Sequence, residues 1–192
     1  MKIFQILLII IALGLQGFTQ TRWTIDQAHS DIRFTVTHMM ISEVDGEFRD
    51  FDASVISPSD DFDQSKVEFD AKVASINTGN SRRDNHLRSE DFFNASIYPE
   101  IIFKGKINKE GEKYYLAGDF TMKNITKQVR FDVQYNGQVK VGQGRKAGFK
   151  VTGTIDRFDY GLTWSSAIET GELVVGREVE ITCHVELDEF VD

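Results

Sequence analysis

The chain has 192 residues and a formal net charge of −8, with 22 Lys and Arg against 30 Asp and Glu, a length that suits one domain. No basic stripe runs through it. This excludes phosphate-led nucleic-acid binding and electrostatic adhesion to an anionic membrane, both of which need clustered cations.

Residues 1–20 come first. Met1 and Lys2 give a minimal basic start, Ile3 to Leu15 form an apolar run broken by Gln5, and Gly17 to Gln20 make a small and polar exit. The run falls short of the ~20 apolar residues that span a bilayer. It reads as a secretory signal peptide cleaved after Thr19 or Gln20; the alternative is an N-terminal membrane anchor. The domain is then 21–192, periplasmic or secreted, with no stable membrane span after cleavage. Export invites disulfides, but Cys183 is the single cysteine, so stability must come from core burial.

The elements that follow repeat with a period of two. Ile32, Phe34 and Val36 alternate with Arg33, Thr35 and Thr37. A shorter run covers Phe51 to Val55. Val67, Phe69, Ala71 and Val73 alternate with Glu68, Asp70 and Lys72. From Asn80 to Ala95 the alternation lapses. There Ser81 is placed as the cap of a short helix carrying Leu87 inward, and Ser89 as the cap of a second turn before Phe92 and Phe93. Strands resume at Ile101 to Ile107 and Tyr114 to Met122. Phe131, Val133 and Tyr135 then alternate with Asp132 and Gln134, and Ala147, Phe149, Val151, Gly153 and Ile155 with Gly148, Lys150, Thr152 and Thr154. Last, Val179, Ile181, Cys183, Val185 and Leu187 alternate with Glu180, Thr182, His184 and Glu186. Each run is a strand with one dry and one wet face, giving about eight strands. Turn chemistry falls at Asp45–Gly46, at 109–112 and at Asn136–Gly137–Gln138, Asn-Gly being a strong hairpin pair.

Such strands suit a two-sheet sandwich and a closed barrel equally, although closure alone removes exposed edges. The apolar faces mix Phe with Ala53, Ala71, Gly105, Gly118, Ala147 and Gly153. Small residues there mean either tapered packing or room for a guest. An eight-stranded barrel allows a filled core or one small ligand.

Several blocks of residues carry more than the alternation does. Trp23, Ile25, Asp26, His29, Ser30, Ile32, Phe34, Val36 and His38, then Val44, Gly46 and Phe48, resemble the opening of the YceI-like family of exported polyisoprenoid-binding proteins. Arg83, Asp84, His86 and Leu87, then Asp91, Phe92, Phe93, Tyr98, Pro99 and Phe103, resemble its middle. Gly118, Phe120, Ile125, Thr126 and Val129 resemble its next block. Gly148, Phe149, Arg157, Asp159, Tyr160, Gly161 and Leu162 resemble its Arg-x-Asp-aromatic-Gly-Leu signature, and Gly171, Leu173, Val175, Val179, Ile181 and Glu186 its last strands. The likeness runs over residues 22–188. One departure is Lys123–Asn124, where many members have His-Gly; this is a turn position.

The resemblance implies an all-β fold: an extended antiparallel eight-stranded lipocalin-like β-barrel with one short helical excursion around residues 80–95. It implies a long-chain isoprenoid, quinone-like or similar lipid held inside for transport, storage or sequestration, with no resident cofactor and no catalytic residue. The expected ligand-binding set is Phe34, Val36, His38, Phe48, Phe69, Val73, Arg83, His86, Leu87, Phe92, Phe103, Phe120, Phe131, Phe149, Val151, Phe158, Leu162 and Trp164. The alternatives are an enzyme or redox accessory acting on a quinone-like lipid, and an envelope stress protein with a filled core. A homodimer is compatible with the sequence.

The polar residues have plainer readings beside the functional ones. His184 lies on a wet face. His38 continues a dry face, as a satisfied core residue or a head-group contact. Asp26 and His29 suit a hydrogen bond at a strand start. Arg83 and Asp84 suit an ion pair, or Arg83 and His86 meet a polar head at the barrel mouth; Arg157 with Asp159 is similar. A metal needs three or four converging ligands, and no His-x-His, HExxH or Cys pair is present. Ser30 beside His29 is no catalytic dyad, because neighbouring strand residues face opposite ways. Cys183 reads as a small buried hydrophobe.

Overall fold

The computed structural model describes residues 20–166 and 173–191; the expected signal peptide, but for Gln20, lies outside them. Eleven strands form: β1 (Thr21–Ile25), β2 (Asp31–His38), β3 (Ser42–Phe48), β4 (Phe51–Ser57), β5 (Lys66–Lys72), β6 (Ile76–Asn77), β7 (Glu100–Glu110), β8 (Lys113–Met122), β9 (Ile125–Val141), β10 (Gly144–Asp156) and β11 (Val175–Glu189). One helix, α1 (Ser81–Arg88), sits between β6 and β7.

These eleven strands make eight staves. β1 and β2 both pair with β11, at its end and along its start, and so continue one another. Their partners β4 and β3 likewise form one stave, and β5 and β6 a third. β7, β8, β9, β10 and β11 follow in chain order, each antiparallel to the last. The pairing of β1 with β11 closes the ring. The result is an up-and-down barrel, in which every stave neighbours its sequence neighbour, and β6 ends the row at β3, pairing with Glu47 and Phe48. The three short breaks, at 26–30, 49–50 and 73–75, lie side by side across adjacent staves.

Two expected turns turn out to lie within strands. Asp45–Gly46 is inside β3, with Gly46 opposite Phe34; the reversal comes at Met39 and Met40, which hold φ of 52° and 62°. Asn136–Gly137 is also no hairpin tip. Gly137 pairs with Gly148 and Tyr135 with Phe149, leaving Asn136 as an extra residue in β9. This is a β-bulge, and Gly137 supplies its φ of +102°. The ladder runs on to Val141, and Gly142–Gln143 makes the reversal. The turn at 109–112 tightens on Gly111 and Glu112. Lys123 and Asn124, at φ of 49° and 59°, form a two-residue turn with both residues left-handed, the geometry that matches strand twist. The Lys123 ammonium donates to the Phe92 carbonyl (2.7 Å) and the Gly161 carbonyl (3.2 Å), tying this turn to the segments over the barrel end.

The helix cap is one residue earlier than expected. Asn80, not Ser81, accepts the Arg83 backbone N–H at 3.1 Å, satisfying a first-turn donor. Ser89 ends the helix, its hydroxyl donating to the His86 carbonyl.

Candidate functional site: an apolar bore

The dry faces of all eight staves point inward. They enclose a cavity of about 220 Å³. β11 alone supplies Val175, Val179, Ile181, Cys183, Val185 and Leu187 to its wall. From Val179 to Leu187 is roughly 27 Å of strand at ~3.4 Å per residue, so the space is long and slim. Its side chains are apolar except those of Arg33 and Arg157. Arg33 is exposed and bonded to Asp31, outside the bore. Among the described residues, Arg157 is therefore the one charged side chain buried in the wall, at 3 % exposure.

One end of the barrel is plugged. Phe62, on the β4–β5 loop, is fully buried with φ +60°. Its ring meets Trp23 at 5.1 Å, Tyr135 at 5.4 Å and Phe149 at 4.9 Å between centroids. The other end is roofed by α1 and its successors. Leu87, Phe92, Phe93 and Leu162 face the cavity from there.

The structure gathers most of the expected ligand-binding residues into this wall: Phe34, Val36, Phe48, Phe69, Leu87, Phe92, Phe103, Phe120, Phe131, Phe149, Val151 and Leu162. It places the others elsewhere. Val73 is buried in a 3-10 turn, packed in the core but off the bore. Phe158 lies between the guanidinium groups of Arg157 (4.7 Å) and Arg177 (4.8 Å). His38 ends β2, opposite Ser42 and Val175. Trp164 forms the outer layer of the roof, 5.1 Å from Phe92 and 5.2 Å from His86. His86 and Arg83, with Asn80 and Arg82, border a shallow polar recess on the outside of α1.

The expected ion pairs are replaced by backbone anchors. Arg83 donates to the Thr78 hydroxyl and carbonyl, both at 2.7 Å, while the buried Asp84 accepts from the Thr78 N–H and hydroxyl. Both side chains hold Thr78 rather than each other. Arg157 donates to the carbonyls of Leu162, Trp164 (2.9 Å), Val175 (3.0 Å) and Gly176 (2.8 Å). Burial pulls its guanidinium pKa down, and four carbonyl partners replace the lost water. Asp159, the partner expected for Arg157, is not among these acceptors, and the adjacent Asp156 pairs with Arg177. Arg157 thus staples the roof segment 162–164 to the start of β11.

Asp26, His29 and Glu186 come together at the outer wall, their ligand atoms within 4.8 Å. Lys146 already sits among these acids, 2.7 Å from Asp26, 2.8 Å from Glu186 and 2.8 Å from Asp188. That ammonium holds the Asp26 carboxyl well below the usual range, and Asp26 raises the His29 imidazole. The strand-start hydrogen bond expected of Asp26 and His29 is present at 2.9 Å, within this ion-pair cluster.

The wall residues outside the expected ligand-binding set are mostly aliphatic, Val55, Val67, Ile107, Leu116, Met122 and the β11 series among them, beside Phe93, Arg33 and Arg157. Their signal was the same alternation that marks the Phe positions. Cys183 is in this group, and burial pushes its thiol up to about 12.

An apolar bore inside an eight-stave up-and-down barrel defines a lipocalin-like architecture. Residues 23–187 match the YceI-like domain, and the chain belongs to the YceI-like family. A UPF0312 protein of Staphylococcus aureus is 39% identical over 168 residues, covering 86% of this chain and 96% of that one. The crystal structure of a Campylobacter jejuni YCEI protein, 32% identical, superposes with a TM-score of 0.69 over 86% of this chain and 96% of that one. A polyisoprenoid binding domain from Saccharophagus degradans shares the fold at 14% identity, with a TM-score of 0.62 over 88% of this chain and 98% of that one. Among the described residues, no helix is long and apolar enough to cross a membrane.

Proposed function

We propose that this protein is an exported carrier that holds the tail of a long isoprenoid lipid in its bore. The observation that carries the reading is the apolar wall along β11, in which the buried Arg157 is already matched by carbonyls. An isoprenoid chain has no polar groups to satisfy, so it suits such a wall. The binding of the Saccharophagus neighbour named above supports the same ligand class. Export rests on the signal-like residues 1–20.

Magnitudes limit the ligand. Each buried carbon contributes about 0.8 kcal/mol. Ten such carbons give roughly 8 kcal/mol, which the ~4–15 kcal/mol cost of association cancels. Only longer tails bind well. The bore, at about 220 Å³, lies below the roughly 300–1,000 Å³ of common ligand pockets. It fits a slender chain and rejects fused rings, so a ring-bearing head stays outside. The recess of Asn80, Arg82, Arg83 and His86 supplies polar groups for such a head.

Equilibrium titration with geranylgeraniol tests this. Saturable binding at one site per chain is expected. Phe149→Asp puts a carboxylate into a wall with no partner and abolishes binding or folding; Glu180→Lys, on the outer face, leaves both intact. Wild-type protein that takes up no geranylgeraniol would overturn the proposal.

A further inference from the structure

The inward faces hold four glycines: Gly46, Gly105, Gly118 and Gly153. None has a positive φ, unlike the turn and bulge glycines Gly79, Gly111, Gly137, Gly142 and Gly161. Their backbones accept any residue, so what these positions provide is space.

Two of them face a ring directly across the ladder. Gly46 is opposite Phe34. A Cβ at Gly46 would lie 2.2 Å from the tip of the Phe34 ring and 2.6 Å from its neighbouring edge atom. Phe131 and Gly153 repeat this on the other side of β11, since Val133 pairs with Val151 and Asp132 with Thr152. A Cβ at Gly153 would lie 2.1 Å from the Phe131 ring. Each ring therefore occupies the volume a side chain would fill. It lies down against the sheet instead of standing in the bore.

We infer that Gly46 and Gly153 are seats that keep the passage open, and that they set the width of chain the barrel accepts. The inference rests on the carrier reading above. A methyl at either position forces the ring off the wall. In a closed barrel the opposite face of the sheet is solvent, and the free volume next to the ring is the bore, so the displaced ring narrows the bore. Both rings line the cavity, and Phe34 is the more exposed of the two, so Gly46 is the stronger of the two controls.

The test is geranylgeraniol titration of wild type, Gly46→Ala, Gly153→Ala, and the paired variants Phe34→Ala/Gly46→Ala and Phe131→Ala/Gly153→Ala, with thermal unfolding of each. Narrowing the bore predicts that each single variant binds about tenfold more weakly or worse per folded molecule. Removing the ring as well restores binding. Two results overturn the inference while wild type still binds: single variants with wild-type affinity per folded molecule, or paired variants as weak as the singles. If a single variant does not fold, its pair decides, because the pair has no clash left; a pair that fails to fold or to bind also overturns it. Failure of wild type to bind geranylgeraniol is a separate outcome, and it defeats the carrier reading first.

Discussion

At the residue scale, charge and burial make different demands on Cys183 and Lys146. Cys183 sits on an inward position of β11, and burial raises its thiol pKa to about 12. Thiolate is the reactive form, so a disulfide-exchange reagent at neutral pH should leave Cys183 untouched in the folded protein and label it fully in urea. Rapid labelling of the native protein would mean that the bore wall opens to water. Lys146 instead stands on the outer wall among Asp26, Glu186 and Asp188. Asp26 has a lowered pKa, caused first by Lys146 and then by His29. Its contribution to stability is present above the ordinary value of 3.8 and lost as pH falls below it. His29 is raised by Asp26, so its share is present below 6.5 and lost as pH rises through its higher folded value. The melting temperature should therefore decline below about pH 4, and Lys146→Met should flatten that decline. An unchanged acid decline in Lys146→Met would remove Asp26 as its source.

At the element scale, the β4–β5 loop acts as the floor. It runs over the barrel end and drops Phe62 between Trp23, Tyr135 and Phe149. Phe62→Ala should lower unfolding free energy by about 3–5 kcal/mol in urea titration. Ala suffers the same left-handed backbone as Phe there, so the loss reports packing. A change below about 1 kcal/mol would show a loose floor. Nothing in the sequence pattern pointed to this plug, because Phe62 stands alone in a polar loop of Ser, Asp and Gln. The strands were far more legible: the alternating runs emerged as strands with the expected inward face, except that Val73 falls past the end of β5 in a 3-10 turn. The errors fell on glycines. Gly46 and Gly137 look like turn residues locally, but one makes room for a ring across the ladder and the other bends a strand at a bulge. Both reasons are tertiary, and neither has a local signature.

At the scale of the whole molecule, closure was the question that alternation left open. A sandwich and a barrel share one dry face per strand; only the pairing of β1 with β11 separates them. The family resemblance pointed to the barrel, because a lipocalin-like barrel is the fold that the resemblance implies. The set of lining residues was legible to the extent that side chains alternate. The roof was not, because Arg83, Asp84 and Arg157 hold backbone carbonyls and hydroxyls in place of the charged partners beside them in sequence. The bore also predicts a length rule. Lengthening the tail by one five-carbon isoprene unit adds up to about 4 kcal/mol at ~0.8 kcal/mol per carbon, so farnesol should bind far more weakly than geranylgeraniol. Equal affinities would place the binding energy at the head.

Native mass spectrometry of protein purified without detergent, with organic extraction of the same sample, addresses the central claim directly. The account predicts one noncovalent adduct per chain, recovered in the extract as a long isoprenoid lipid, or formed stoichiometrically when geranylgeraniol is added to protein that was isolated empty. A protein that carries no lipid from the cell and stays at its bare polypeptide mass in excess geranylgeraniol would contradict it.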